Sequence, residues 1–150
     1  PDDAIIHTRY ANLLKEIERT DEAERHYERA IDSRPDCATA HHNYGLLLQG
    51  EQRLTKARTH LERAADLRLA AENDLGAVHS ISRLVDICER SGDIESAIAW
   101  CDEGITLARN RDQRETSSSE RSIFNMGSAL KVTYSRLTGE NWEENQSEDD

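Results

Sequence analysis

Residues 4–37, AIIHTRYANLLKEIERTDEAERHYERAIDSRPDC, decide the fold, because residues 38–71, ATAHHNYGLLLQGEQRLTKARTHLERAADLRLAA, repeat their pattern. Tyr10-Ala11 aligns with Tyr44-Gly45, Leu14 with Leu48, Ala23 with Ala57, Tyr27 with Leu61 and Ala30 with Ala64. The apolar positions follow the i, i+3, i+4, i+7 rule of an amphipathic helix. A break near Glu18 to Thr20 divides the first copy into two helices, about Ala4 to Ile17 and Thr20 to Ser33. Pro35 ends the second, because proline supplies no amide hydrogen and restricts the residue before it. Thr20 or Asp21 is expected to cap that helix, and Asp2 or Asp3 the first. Self-similarity at this period marks a stacked helical repeat, in which each unit buries its apolar face against the next.

The second pair reads as about Ala38 to Gln49 and Leu54 to Ala70, with Gly50 at the turn. The third needs a shift. Ala97 plays the part of Ala57 at a spacing of 40 rather than 34. Six added residues fall around Glu72 to Ala77, in the outer helix of the second pair or the loop after it. Ile81, Leu84, Val85 and Cys88 then line a fifth helix, and Ile94, Ala97, Ile98, Cys101, Ile105 and Ala108 a sixth. Arg111 to Ser122 has no apolar residue and reads as a loop or a solvated helix extension. A seventh helix is expected from about Ser119 to Leu137. Residues 139–150, GENWEENQSEDD, read as an acidic, disordered tail.

The formal net charge is −11, with Lys and Arg interleaved among acids rather than gathered in a stripe. That disfavours nucleic acid and anionic membrane surfaces, which demand a basic patch. Nothing resembles a signal peptide or a membrane span. The chain opens on Pro1 rather than Met, so a fragment of a longer protein is expected. Cys37, Cys88 and Cys101 have no metal-ligand spacing, and an odd number of thiols without secretory context points to a cytoplasmic protein. The six histidines include no HxxxH pair and no Cys-His cluster, although His41, His42 and His79 are placed to approach one another. There is no phosphate-binding glycine loop and no nucleophile elbow. No cofactor, metal or catalytic residue is expected.

These residues resemble the tetratricopeptide repeat family. A bulky and a small residue sit together in the inner helix (Tyr10-Ala11, Tyr44-Gly45, Leu84-Val85). Small residues open the outer helix (Ala23, Ala57, Ala97), large ones follow (Tyr27, Leu61, Cys101), then small ones again (Ala30, Ala64, Gly104). Small residues let helices approach, and bulky ones fill the gaps. The resemblance implies an all-α solenoid: a right-handed superhelix of antiparallel helix pairs, with units at about 4–37, 38–71 and 78–111. A capping helix at about 119–137 follows.

The family's inner helices line a concave groove that holds a peptide or partner helix. Carried over by register, that groove comprises Thr8, Asn12 and Lys15, then His42, Asn43 and Leu46, then His79, Ser82 and Asp86. Ile5, Glu16, Thr39, Gln49, Glu89 and Arg90 flank them. One branch of the family grips a C-terminal carboxylate with cations and two asparagines. Asn12 and Asn43 match, but Thr8, Ser82 and Asp86 stand where the cations belong, which removes the charge-assisted bonds of such a clamp. The resulting expectation is a non-catalytic scaffold for a neutral to mildly basic amphipathic segment. Two alternatives stay open: a regulatory or assembly module of a larger signalling protein, or a homo-oligomer whose groove holds its own C-terminal segment.

Overall fold

The computed structural model describes residues 3–112 and 118–140. It contains α1 (Asp3–Glu16), α2 (Thr20–Ser33), α3 (Ala38–Gly50), α4 (Leu54–Ala70), α5 (Asp74–Ser91), α6 (Ile94–Asp112) and α7 (Ser118–Thr138). No strand occurs among the described residues. The helices group into two compact units, α1–α4 up to Ala71 and α5–α7 from Glu72. The acidic tail from residue 141 lies outside the described residues.

The repeat is written into the backbone as well as the side chains. Each inner helix ends on one left-handed residue: Glu18 at φ 60°, Gln52 at φ 63° and Gly92 at φ 77°. These three occupy one repeat position. The next amide reaches back five residues in each case: Arg19 N to the Leu14 carbonyl, Arg53 N to Leu48 and Asp93 N to Cys88, all at 2.9 Å. This is the Schellman closure, which satisfies carbonyls that a helix end would leave open. Gly50, expected at the turn, is instead the last residue of α3, and Gln52 takes the left-handed conformation. The expected caps at Thr20 or Asp21 are also corrected. Helix α2 already begins at Thr20, and Arg19 before it makes no side-chain cap. The Schellman turn holds this end without one.

In the first unit, α1 pairs with α2, α3 pairs with α4, and α3 lies against both α1 and α2. Ala11, Ala23, Ala30, Ala57 and Ala64 are wholly buried, as are Tyr27, Leu48 and Leu61. Gly45 shows why a small residue stands there. A Cβ at Gly45 would lie 2.7 Å from Leu61 Cγ and 3.2 Å from the Ala57 carbonyl oxygen. One expected packing residue is placed differently: Tyr10 is 46% exposed, whereas its equivalent Tyr44 is 4% exposed.

In the second unit, α5 pairs with α6, and α7 packs on both. Val78, Val85, Cys101 and Ile105 join Leu130 and Tyr134 of α7 in one apolar cluster. Gly104 admits Leu130, since a Cβ there would stand 2.5 Å from Leu130 Cδ1. The six extra residues do not form a loop. Relative to the first pair, α4 runs three residues further and α5 starts four earlier, while the connection shortens by one. Asn73 caps α5 by accepting a hydrogen bond from Gly76 N (3.0 Å).

Candidate functional site

The inner face of the first unit is built by α1 and α3, one above the other. The structure brings Asn12 and Asn43 into contact. Asn43 Nδ2 donates to Asn12 Oδ1 at 3.0 Å, and the Tyr27 hydroxyl donates to the same oxygen at 2.6 Å. Tyr27 is fully buried, and burial pushes its phenol up to about 12, so it stays a neutral donor. The two bonds lock the Asn12 amide from below. Its NH2 group and the Asn43 amide oxygen take part in neither bond, a donor and an acceptor on two half-buried residues. That pair matches the C=O and N–H that a peptide backbone offers.

The other expected residues of this face differ in access. Lys15, His42 and Leu46 are half-buried, and Ile5 is 42% exposed. Thr8 is buried, and its hydroxyl donates back to the Ala4 carbonyl at 2.7 Å, a local helix bond rather than an outward group. In the second unit, His79 is exposed and Ser82 and Asp86 are half-buried on α5. Arg90 lies 3.7 Å from Asp86, and Arg136 of α7 pairs with Glu89. The charges of Asp86 and Glu89 are therefore partly offset.

His41 makes its contacts within the first unit, with His60 and Pro35. Its Nδ1 lies 3.1 Å from Nδ1 of His60, and its Nε2 lies 3.1 Å from the Pro35 carbonyl. A carbonyl only accepts, so Nε2 carries the proton of neutral His41, its Nδ1 accepts, and His60 Nδ1 donates. Burial, then the neighbouring His41 and Lys56, lower His60 to about 4. His7 and His26 repeat the arrangement one unit earlier, Nδ1 to Nδ1 at 2.9 Å. The paired spacing His7/His41 and His26/His60 was the available sequence signal for these contacts.

A second concavity of about 320 Å³ opens between α2 and α4. Ile31 and Tyr44 form its apolar part, with Glu28 and Asp32 contributed by α2 and Lys56 and His60 by α4. Tyr44 donates to Glu24 Oε1 (2.6 Å), and Arg53 grips both oxygens of Glu24 at 2.8 Å. The Arg53 hydrogen bond, opposed by partial burial, holds the Glu24 carboxyl below its ordinary range.

No cluster of three or more His, Cys, Asp or Glu suited to a metal occurs among the described residues. Burial, reinforced by Glu89, raises the Cys101 thiol to about 12, the opposite of an activated nucleophile. No described helix is long and apolar enough to cross a membrane.

Sequence profiles of the tetratricopeptide repeat match residues 4–37 and residues 36–110. The chain belongs to the tetratricopeptide repeat family. Among solved structures, this tetratricopeptide repeat chain is similar to the N-terminal domain of stress-induced protein-1 (STI-1) from C. elegans. That likeness has a TM-score of 0.67 at 16% identity, over 83% of this chain and 94% of that one. It is also similar to YrrB, described as a TPR protein with an unusual peptide-binding site, with a TM-score of 0.41 at 13% identity over 91% and 90%. No curated protein matches the chain in sequence. The all-α helical-repeat fold expected from residues 4–37 is thereby shown.

Proposed function

We propose that this tetratricopeptide repeat chain is a non-catalytic binding module whose inner helix faces hold a peptide or partner helix. The observation that carries the reading is the locked Asn12–Asn43 pair, whose two bonds leave the Asn12 NH2 and the Asn43 amide oxygen unused on half-buried residues of two successive inner helices. Because the buried Tyr27 hydroxyl already fixes this amide, little side-chain ordering is left to oppose binding. Lys15, His42 and Leu46 flank the pair and supply a charge, a polar ring and an apolar contact.

A neutral to mildly basic amphipathic segment suits the site. The chain carries a net charge of −11, and Glu16 lies exposed on α1. In the second unit, His79, Ser82 and Asp86 on α5 offer a second polar face of the same kind. A cytoplasmic setting fits three buried free thiols. Fluorescence anisotropy with labelled basic, neutral and acidic amphipathic peptides tests the charge preference. The basic or neutral set should bind more tightly, and Asn43→Ala should weaken that binding. Preference for the acidic set, or indifference to Asn43→Ala at every peptide, defeats the reading.

A further inference from the structure

Glu24, Glu28 and Asp32 stand four residues apart along one face of α2. Like charges at this spacing repel each other on a helix. The first of them is compensated. Arg53 grips both oxygens of Glu24, and the Tyr44 hydroxyl donates there at 2.6 Å. The other two are not. Glu28 Oε1 lies 3.3 Å from the same hydroxyl, whose single proton is already committed to the nearer Glu24. Neither Glu28 nor Asp32 forms an ion pair among the described residues.

Both carboxylates line the concavity between α2 and α4. Helix α4 supplies the opposite wall with Lys56, Thr59 and His60, which share a face by their i, i+3 and i+4 spacing. Burial, then the neighbouring His41 and Lys56, hold His60 near 4, so its ring is neutral at ordinary pH. Lys56 is therefore the one cation among the described lining residues, and it too makes no ion pair. Opposite charges stand on facing walls without meeting. Ile31 of α2 and Tyr44 of α3 supply the apolar surface between them. The volume of about 320 Å³ stands at the small end of the ~300–1,000 Å³ typical of small-molecule sites, too little for a partner helix.

We infer that this concavity binds a free α-amino acid with an aliphatic or aromatic side chain. The ligand's ammonium lies against Glu28 and Asp32, and its carboxylate against the Lys56 ammonium and the Thr59 hydroxyl. Its side chain covers Ile31 and Tyr44. Charge-assisted bonds at the two ends fix its orientation, and the apolar contact adds affinity. A peptide does not meet this description. Its first residue offers an ammonium beside the side chain and its last a carboxylate, but neither offers both. The site is separate from the Asn12–Asn43 face, because its charged residues belong to α2 and α4 rather than α1 and α3.

L-Leucine is the probe. Two analogues accompany it: 3-methylbutylamine, which lacks the carboxylate, and 4-methylpentanoate, which lacks the ammonium. Each is titrated at neutral pH into the isotope-labelled full chain and followed by amide NMR. Leucine should shift Ile31, Lys56, Thr59 and His60 saturably at about millimolar concentration. Each analogue should bind at least about fivefold more weakly, as loss of one charge-assisted contact in a solvent-open site implies. Lys56→Gln should erase the preference for leucine over the amine. Glu28→Gln combined with Asp32→Asn should erase the preference over the acid. All three side chains are exposed, so these variants keep the fold. Asn43→Ala should leave leucine binding unchanged. Absence of saturable shifts, equal binding of the three probes, or preferences that survive both charge variants overturns the inference. So does tighter binding of the amine or the acid than of leucine, since these stand for the terminal residues of a partner chain.

Discussion

Replacing Gly45 with alanine tests the close approach on which the repeat stacks. In an open helix, Gly→Ala would stabilise by about 1 kcal/mol. Here the new Cβ would stand 2.7 Å from Leu61 Cγ, well inside the 3.5–4.0 Å at which carbon atoms rest together, and 3.2 Å from the Ala57 carbonyl oxygen. Leu61 is fully buried, and its Cγ is the branch point of the side chain rather than a free end. Relief thus requires α3 and α4 to separate or Leu61 to leave its rotamer. Overpacking of this kind costs about 1–3 kcal/mol. Net of the helix gain, Gly45→Ala should destabilise by up to about 2 kcal/mol. Leu61→Ala removes the obstructing atom at its own cost of about 2–5 kcal/mol. In that background Gly45→Ala should change sign and stabilise by up to about 1 kcal/mol. Urea unfolding of the four proteins, followed by far-ultraviolet circular dichroism and compared at equal m-values, reads the coupling. Equal effects of Gly45→Ala in both backgrounds would refute the packing argument.

The Schellman turns give a second test. Glu18→Gly and Gln52→Gly should each stabilise by about 0.5–1 kcal/mol by relieving a left-handed side-chain residue, whereas Gly92→Ala should cost about 1–2 kcal/mol; midpoints of thermal unfolding report the signs. Asn12→Ala strands the buried Tyr27 hydroxyl and should cost about 1–3 kcal/mol, nearly all of it recovered against a Tyr27→Phe background in a double-mutant cycle. His60, held near 4 when folded, remains neutral while the unfolded chain protonates near the usual 6.5. Its contribution is therefore complete above about pH 6.5 and is lost as pH falls toward 4. Discounted for the partly exposed ring, the unaltered protein should lose about 1 kcal/mol more than His60→Gln between pH 7 and pH 5 in urea titrations.

Much of the helical repeat was legible because packing periodicity is local. Ala23, Ala30, Ala57 and Ala64 recur at fixed spacing, and each proves fully buried. The turns were harder. Gly50 looked like the turn residue, yet backbone closure places the left-handed conformation two residues later, on Gln52, a residue type that carries no turn signal. The added residues near Glu72 were legible in part: a longer α4 was one of the two readings, but the earlier start of α5 was not, because extending two helices at their facing ends leaves the same sequence spacing as a longer loop. For the candidate site, register placed Asn12 and Asn43 on one inner face without showing that they touch, since their contact depends on how far α1 stands from α3. Thr8 was misjudged in access because a helix-facing hydroxyl and a groove-facing one have the same spacing. The exposure of Tyr10 escaped notice for the opposite reason: repeat identity with Tyr44 suggested equal burial, but no described helix covers α1 as α2 covers α3.

The central claim is that the Asn12–Asn43 face receives the partner. Amide NMR spectra of isotope-labelled protein, recorded while the tightest-binding basic or neutral amphipathic peptide is added, test it most directly. The side-chain amide signals of Asn12 and Asn43 should show the largest shifts, with Lys15, His42 and Leu46 following. Shifts confined to Ile31, Lys56, Thr59 and His60, around the concavity between α2 and α4, would contradict it.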